Sequence, residues 1–95
     1  MDRKTAQQTA KQKIDDIFVK IEELELKKDR VKDDAKESYN KKIAELQKKK
    51  GDLQSKYDEL LNAAEDKWQE SSSVFSASAD YFKKGFSELG NLFKK

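Results

Sequence analysis

Residues 43–61, IAELQKKKGDLQSKYDELL, hold apolar side chains at helical spacing through a heavily charged background. Written as heptads, the stretch reads Ile43 (a), Leu46 (d), Lys50 (a), Leu53 (d), Tyr57 (a) and Leu60 (d), and Ala64 takes the next a position. Alternating steps of three and four are the mark of a coiled-coil seam. A straight helix cannot bury such a stripe against itself, so another helix must cover it.

The stripe extends toward the N-terminus. Thr5-Ala6-Gln7-Gln8 has the form of a capping box, which predicts a helix start near Thr5. From there Ala10, Ile14, Ile17, Ile21, Leu24, Val31 and Ala35 carry the a/d pattern. Val19 and Leu26 lie off that stripe and Phe18 flanks it, so the N-terminal third is expected to meet more than one helix. Val31, Ala35, Tyr39 and Ile43 then follow at steps of four, as do Leu60, Ala64 and Trp68. Each run reads as a skip that locally relaxes the supercoil. Trp68 is expected in the core.

Gly51 follows three lysines and precedes Asp52, which together resemble a stop and restart. The apolar phase nevertheless passes through Gly51 without slipping, so the helix is read as continuous there. Ser71-Ser72-Ser73 is poor helix-forming sequence and reads as a break. The expected architecture is all-α: a long coiled-coil helix over residues 1–70, a Ser-rich kink or linker at 71–73, and a shorter C-terminal amphipathic helix over 74–95. A helix from Thr5 to Glu70 would be about 100 Å long. A helical hairpin turning near Gly51 is the alternative.

Charge suggests how the helices pair. Residues 27–56 carry eleven basic and six acidic side chains (+5), and residues 57–70 carry one basic and five acidic (−4). Antiparallel self-association lays the basic block beside the acidic one and avoids stacking Lys50 on Lys50. The seam residues are Ile14, Ile17, Ile21, Leu24, Val31, Ile43, Leu46, Leu53, Tyr57 and Leu60. Pairs at i,i+4 support the exposed faces: Asp16 with Lys20, Glu23 with Lys27, Glu37 with Lys41, Glu45 with Lys49, and Asp52 with Lys56.

Composition narrows the chemistry. Ninety-five residues with 42% charged and 35% hydrophobic side chains favour an elongated helical assembly over a large globular core. The absence of proline and the sustained periodicity argue against disorder. With neither His nor Cys, no thiolate metal site forms, and nucleophile or base roles would fall to side chains on solvated faces. The doublets Asp15-Asp16 and Asp33-Asp34 lack a ligand loop, so no metal and no cofactor is expected. Lys41-Lys42 and Lys48-Lys49-Lys50 are interleaved with acids and net charge is only +2, which argues against nucleic acid as a partner. Thr5 to Lys13 is polar, so no secretory signal is expected, and no apolar run is long enough to span a membrane.

The C-terminal helix carries the sharpest functional signal. Phe75, Phe82, Phe86, Leu89 and Phe93 cluster on one face, widened by Val74, Tyr81 and Leu92, and Lys83, Lys84 and Lys94 lie opposite. That pattern suits either a helix lying in a membrane interface or a stripe that completes a bundle core beside Ile17, Phe18, Val19 and Ile21.

From Val31 onward the chain resembles a family of small bacterial coiled-coil proteins labelled as stress-response proteins. The resemblance is carried by Asp33-Asp34-Ala35-Lys36, Tyr39 with Lys41-Lys42-Ile43-Ala44-Glu45-Leu46, Leu53 to Leu60, Ala64-Glu65-Asp66-Lys67-Trp68, and the tail Leu92-Phe93-Lys94-Lys95. Gly51 and Ser71-Ser72-Ser73 depart from that family's pattern. The resemblance implies a cytoplasmic, non-enzymatic, stress-associated protein with no active-site residues. The functional expectation is an interaction module that pairs with itself or with another helical protein. The alternative is a peripheral protein of a membrane surface.

Overall fold

Asp2, three residues before the expected cap, starts the first helix: its carboxylate accepts a hydrogen bond from the Thr5 N–H at 2.8 Å. That bond holds the Asp2 carboxyl below its ordinary range. A computed structural model describes residues 2–92 and consists of three helices, α1 (Arg3–Leu26), α2 (Lys36–Asn62) and α3 (Trp68–Gly90). The chain is all-α, as expected, and its helices pack together as a three-helix bundle 50 Å long and 19 by 16 Å across.

The single helix from Thr5 to Glu70 is therefore corrected to two helices and two turns. The turns fall where the heptad skips. After Leu26 the chain makes a 3₁₀ turn at Lys28–Arg30, extends at Val31 and Lys32, and makes a second 3₁₀ turn at Asp33–Ala35. Leu24, Val31, Ala35 and Tyr39 stay buried through the reversal. The tertiary fold uses the same apolar residues as a continuous helix would, which is why spacing alone does not separate the two. At the other skip α2 stops at Asn62, where Ala63 takes an extended ψ of 140°. Lys67 then donates its N–H to the Ala64 carbonyl at 2.8 Å.

Gly51 lies inside α2, exposed, and the helix is continuous there as expected. The break expected at Ser71-Ser72-Ser73 is absent, because α3 begins at Trp68 and runs through all three serines. Serine costs a helix no more than about 0.7 kcal/mol per residue relative to Ala. Burial of Phe75 and Phe82 in the same helix offsets that, each large apolar side chain being worth about 1.5–3 kcal/mol. Trp68, expected in the core, is only half-buried at the start of α3.

The helices run up, down and up. Arg3 donates to the Ala63 carbonyl and Lys50 Nζ stands 5.1 Å over the Phe18 ring, which sets α1 antiparallel to α2. The rings of Tyr57 and Phe75 lie 6.0 Å apart and Lys42 pairs with Glu88 at 3.2 Å, which sets α2 antiparallel to α3. α1 and α3 are consequently parallel. The antiparallel pairing expected between copies is thus made within one chain, and neither a hairpin turn at Gly51 nor an oligomer is needed to cover the seam. Of the five expected i,i+4 pairs, Glu23 with Lys27 (3.2 Å) and Glu37 with Lys41 (3.4 Å) form. Lys49 instead reaches Asp52 and Glu45 reaches Lys42.

Candidate functional site

The seam residues Ile14, Ile17, Ile21, Leu24, Val31, Ile43, Leu46, Leu53 and Leu60 lie together in one buried core, with Tyr57 packed half-buried against it. From the opposite side the core is closed by Phe75, Ala79, Phe82 and Leu89. Phe86 is partly buried at its edge, and Phe93 lies outside the described residues. The aromatic face that the sequence offers to lipid or a partner is thus directed inward onto α1 and α2. α1 meets both other helices, through Ile17 and Phe18. Val19 and Leu26 do not take part: they are 61% and 84% exposed on the outer side of α1.

Two arrangements at the surface bring polar and apolar groups together. The first spans α2 and α3. Tyr81 donates its hydroxyl to Glu45, Lys42 Nζ lies 5.3 Å over the Tyr81 ring, and Lys42 pairs with Glu88 at 3.2 Å and Glu45 at 3.7 Å. The bond to Glu45 pushes the Tyr81 hydroxyl above its ordinary pKa, and the same bond draws the Glu45 carboxyl below its own. Partial burial works to lower the Lys42 ammonium, and the bond to Glu88, with the charges around it, outweighs that and leaves it raised. The groups are near solvent and mutually paired, which describes a clasp between helices and leaves no free base or nucleophile.

The second arrangement is a groove of about 350 Å³ between the parallel helices α1 and α3. Ile17, Ala79 and Phe86 supply its apolar side chains, and Lys13, Asp16, Lys20, Asp80 and Lys83 its charged ones. Its volume falls at the lower end of the range usual for ligand sites, about 300–1,000 Å³. The sequence places Ile17 in the seam, Phe86 on the aromatic face and Asp16, Lys20 and Lys83 on charged faces without joining them into a groove, although one signal was present: Ala79 is the small residue in a stripe otherwise made of Phe75, Phe82 and Phe86. A gap opposite Ala79 becomes visible only once α1 is known to lie alongside.

No group of three or more acidic side chains that could hold a metal ion occurs among the described residues. No helix among them is long and apolar enough to cross a membrane. No protein-family model, no curated protein and no solved structure matches the chain.

Proposed function

We propose that the protein is a non-enzymatic interaction module that self-associates by exchanging α3 between copies, in which α2 and α3 join into one continuous coiled-coil helix. One observation carries this reading: the α2–α3 turn, Ala63-Ala64-Glu65-Asp66-Lys67, has no Gly or Pro and no residue at positive φ, and Leu60, Ala64 and Trp68 keep helical steps of four across it despite the heptad skip. Every residue of the turn can adopt helical dihedrals, and Ala is the strongest helix former. Straightening it gives a helix over residues 36–90, about 80 Å long. An opened monomer would expose Phe75, Phe82 and Leu89 to water. Opening is therefore coupled to a second copy, whose α1 and α2 offer the same cover that the first copy gave up.

The test is molar mass by light scattering over a range of protein concentrations, for the native chain and for Ala64→Pro. Ala63 already has the extended backbone that a following proline requires, and proline at 64 prevents a continuous helix. The native chain should form dimer slowly as concentration rises, while Ala64→Pro stays monomeric. A native chain that remains monomeric after prolonged incubation at high concentration refutes the exchange.

A second reading has α3 cover its aromatic face with a membrane surface, favoured because it is the most apolar of the three helices. Liposome flotation of the native chain and of Ala64→Pro separates the two: binding to vesicles by monomeric protein supports lipid, and dimer formation without vesicles supports exchange. A link to stress is proposed on the resemblance of residues 31–95 alone.

A further inference from the structure

The groove between α1 and α3 has an apolar floor and more positive than negative charge at its edge. Lys13, Lys20 and Lys83 line it, and none of the three has an ion-pair partner among the described residues. Of the two acids, Asp16 accepts from the Gln12 side-chain amide at 3.2 Å, which leaves Asp80 as the one carboxylate there without a hydrogen-bond partner among those residues. Lys13 and Lys20 stand at opposite ends of the α1 lining, with Lys83 across on α3, so a molecule apolar along its length and negative at one end meets an ammonium whichever way it lies on Ile17, Ala79 and Phe86.

Length decides between a small molecule and a partner helix. On α1 the lining runs from Lys13 to Lys20 and on α3 from Ala79 to Phe86, a span of seven steps in each case, or about 10 Å at about 1.5 Å per residue. That is two turns of helix, too short to seat an amphipathic helix whose apolar face repeats over several turns. A flexible alkyl chain fits such a slot.

We propose that this groove binds a single-chain amphiphile with an anionic head, such as a fatty acid, with its tail against Ile17, Ala79 and Phe86 and its head at an end of the groove, on Lys13 or Lys20, with Lys83 on the facing helix. The proposal does not depend on exchange of α3, since the groove exists in the closed monomer. The attraction is electrostatic at the rim and hydrophobic at the floor, so binding weakens with salt without vanishing.

The experiment is isothermal titration of the folded monomer with dodecanoate, kept below the concentration at which it forms micelles, and with dodecyltrimethylammonium, which has the same tail and the opposite charge. Saturable binding of one dodecanoate per chain is expected, with little or no binding of the cation. The triple variant Lys13→Gln, Lys20→Gln, Lys83→Gln changes only exposed side chains and should keep native helicity while weakening dodecanoate by about tenfold or more, equivalent to about 1.4 kcal/mol. Absence of saturable binding to the folded native chain overturns the proposal. So does equal binding of both amphiphiles, or a triple variant that binds as the native chain does. Association with anionic vesicles in the absence of any dodecanoate binding also overturns it, in favour of a membrane surface.

Discussion

The Tyr39 hydroxyl, on α2, donates to the Leu24 carbonyl oxygen at the end of α1, at 2.5 Å and inside the core. A helix end leaves its last carbonyls short of partners; the Lys27 N–H reaches this one at 3.2 Å, and a side chain from the following helix supplies the shorter bond. Tyr39→Phe should cost about 1–2 kcal/mol in urea unfolding, the loss of a hydrogen bond to a buried acceptor.

The same residue gives a pH dependence. Burial, and then the nearby Glu25 carboxylate, push the Tyr39 hydroxyl above its ordinary value of 10.0. The folded state therefore favours the protonated phenol. Its contribution is complete below pH 10.0 and is lost as pH rises from there through the folded value. Urea midpoints measured from pH 8 to pH 11 should fall at the alkaline end, and Tyr39→Phe should fall less steeply.

Glycine substitutions should separate open surface from close packing. A Cβ on Gly51 would meet nothing within 4 Å, whereas one on Gly85 would stand 3.0 Å from Leu46 Cδ2 and 3.3 Å from its Cδ1. Leu46 is fully buried and has little room to give way. Gly51→Ala should stabilise by about 0.5–1 kcal/mol. Gly85→Ala should destabilise, since overpacking costs about 1–3 kcal/mol and exceeds the gain in helix propensity. Thermal melts of the two variants that move in the same direction would contradict this packing.

Replacing Leu53 and Leu60 by Asp should unfold the chain itself. Both side chains are buried within one chain's core, so loss of helicity should be the same at low and high protein concentration. Helicity that recovers as the protein is concentrated would instead place these side chains between copies.

At the acid end the clasp between α2 and α3 should be visible. Hydrogen bonding from Tyr81, and to a smaller extent the Lys42 charge, lowers the Glu45 carboxyl below its ordinary 4.5. The stability it contributes is present above that value and is lost as pH falls through the lowered folded one. Tyr81→Phe should flatten this part of the acid limb between pH 5 and pH 3, by a loss of stability at pH 7 that disappears at the acid end and is small because the pairs are close to solvent.

Periodicity made the core legible residue by residue: Ile14, Ile17, Ile21, Leu24, Val31, Ile43, Leu46, Leu53 and Leu60 are all buried together. Continuity through Gly51 was legible for the same reason, since the apolar phase does not slip there. The turns were not, because Val31, Ala35 and Tyr39 serve a reversal and a straight helix equally well, and neither Gly nor Pro marks the place. Ser71-Ser72-Ser73 misled because local preference there is weak beside the burial of Phe75 and Phe82. The α1–α3 groove depends on which helices lie side by side, and no spacing within one helix encodes that.

The Lys32 N–H, in the α1–α2 turn, donates to the Leu92 carbonyl beyond the end of α3, at 3.1 Å. On the ribosome the first two helices emerge before Leu92 does, and they can pair while the third is still inside the exit tunnel. During that interval the hairpin presents the apolar surface that Phe75, Phe82 and Leu89 later cover. The nascent chain is consequently at its stickiest between the appearance of Asn62 and that of Leu92, and a neighbouring chain on the same messenger can reach that surface first.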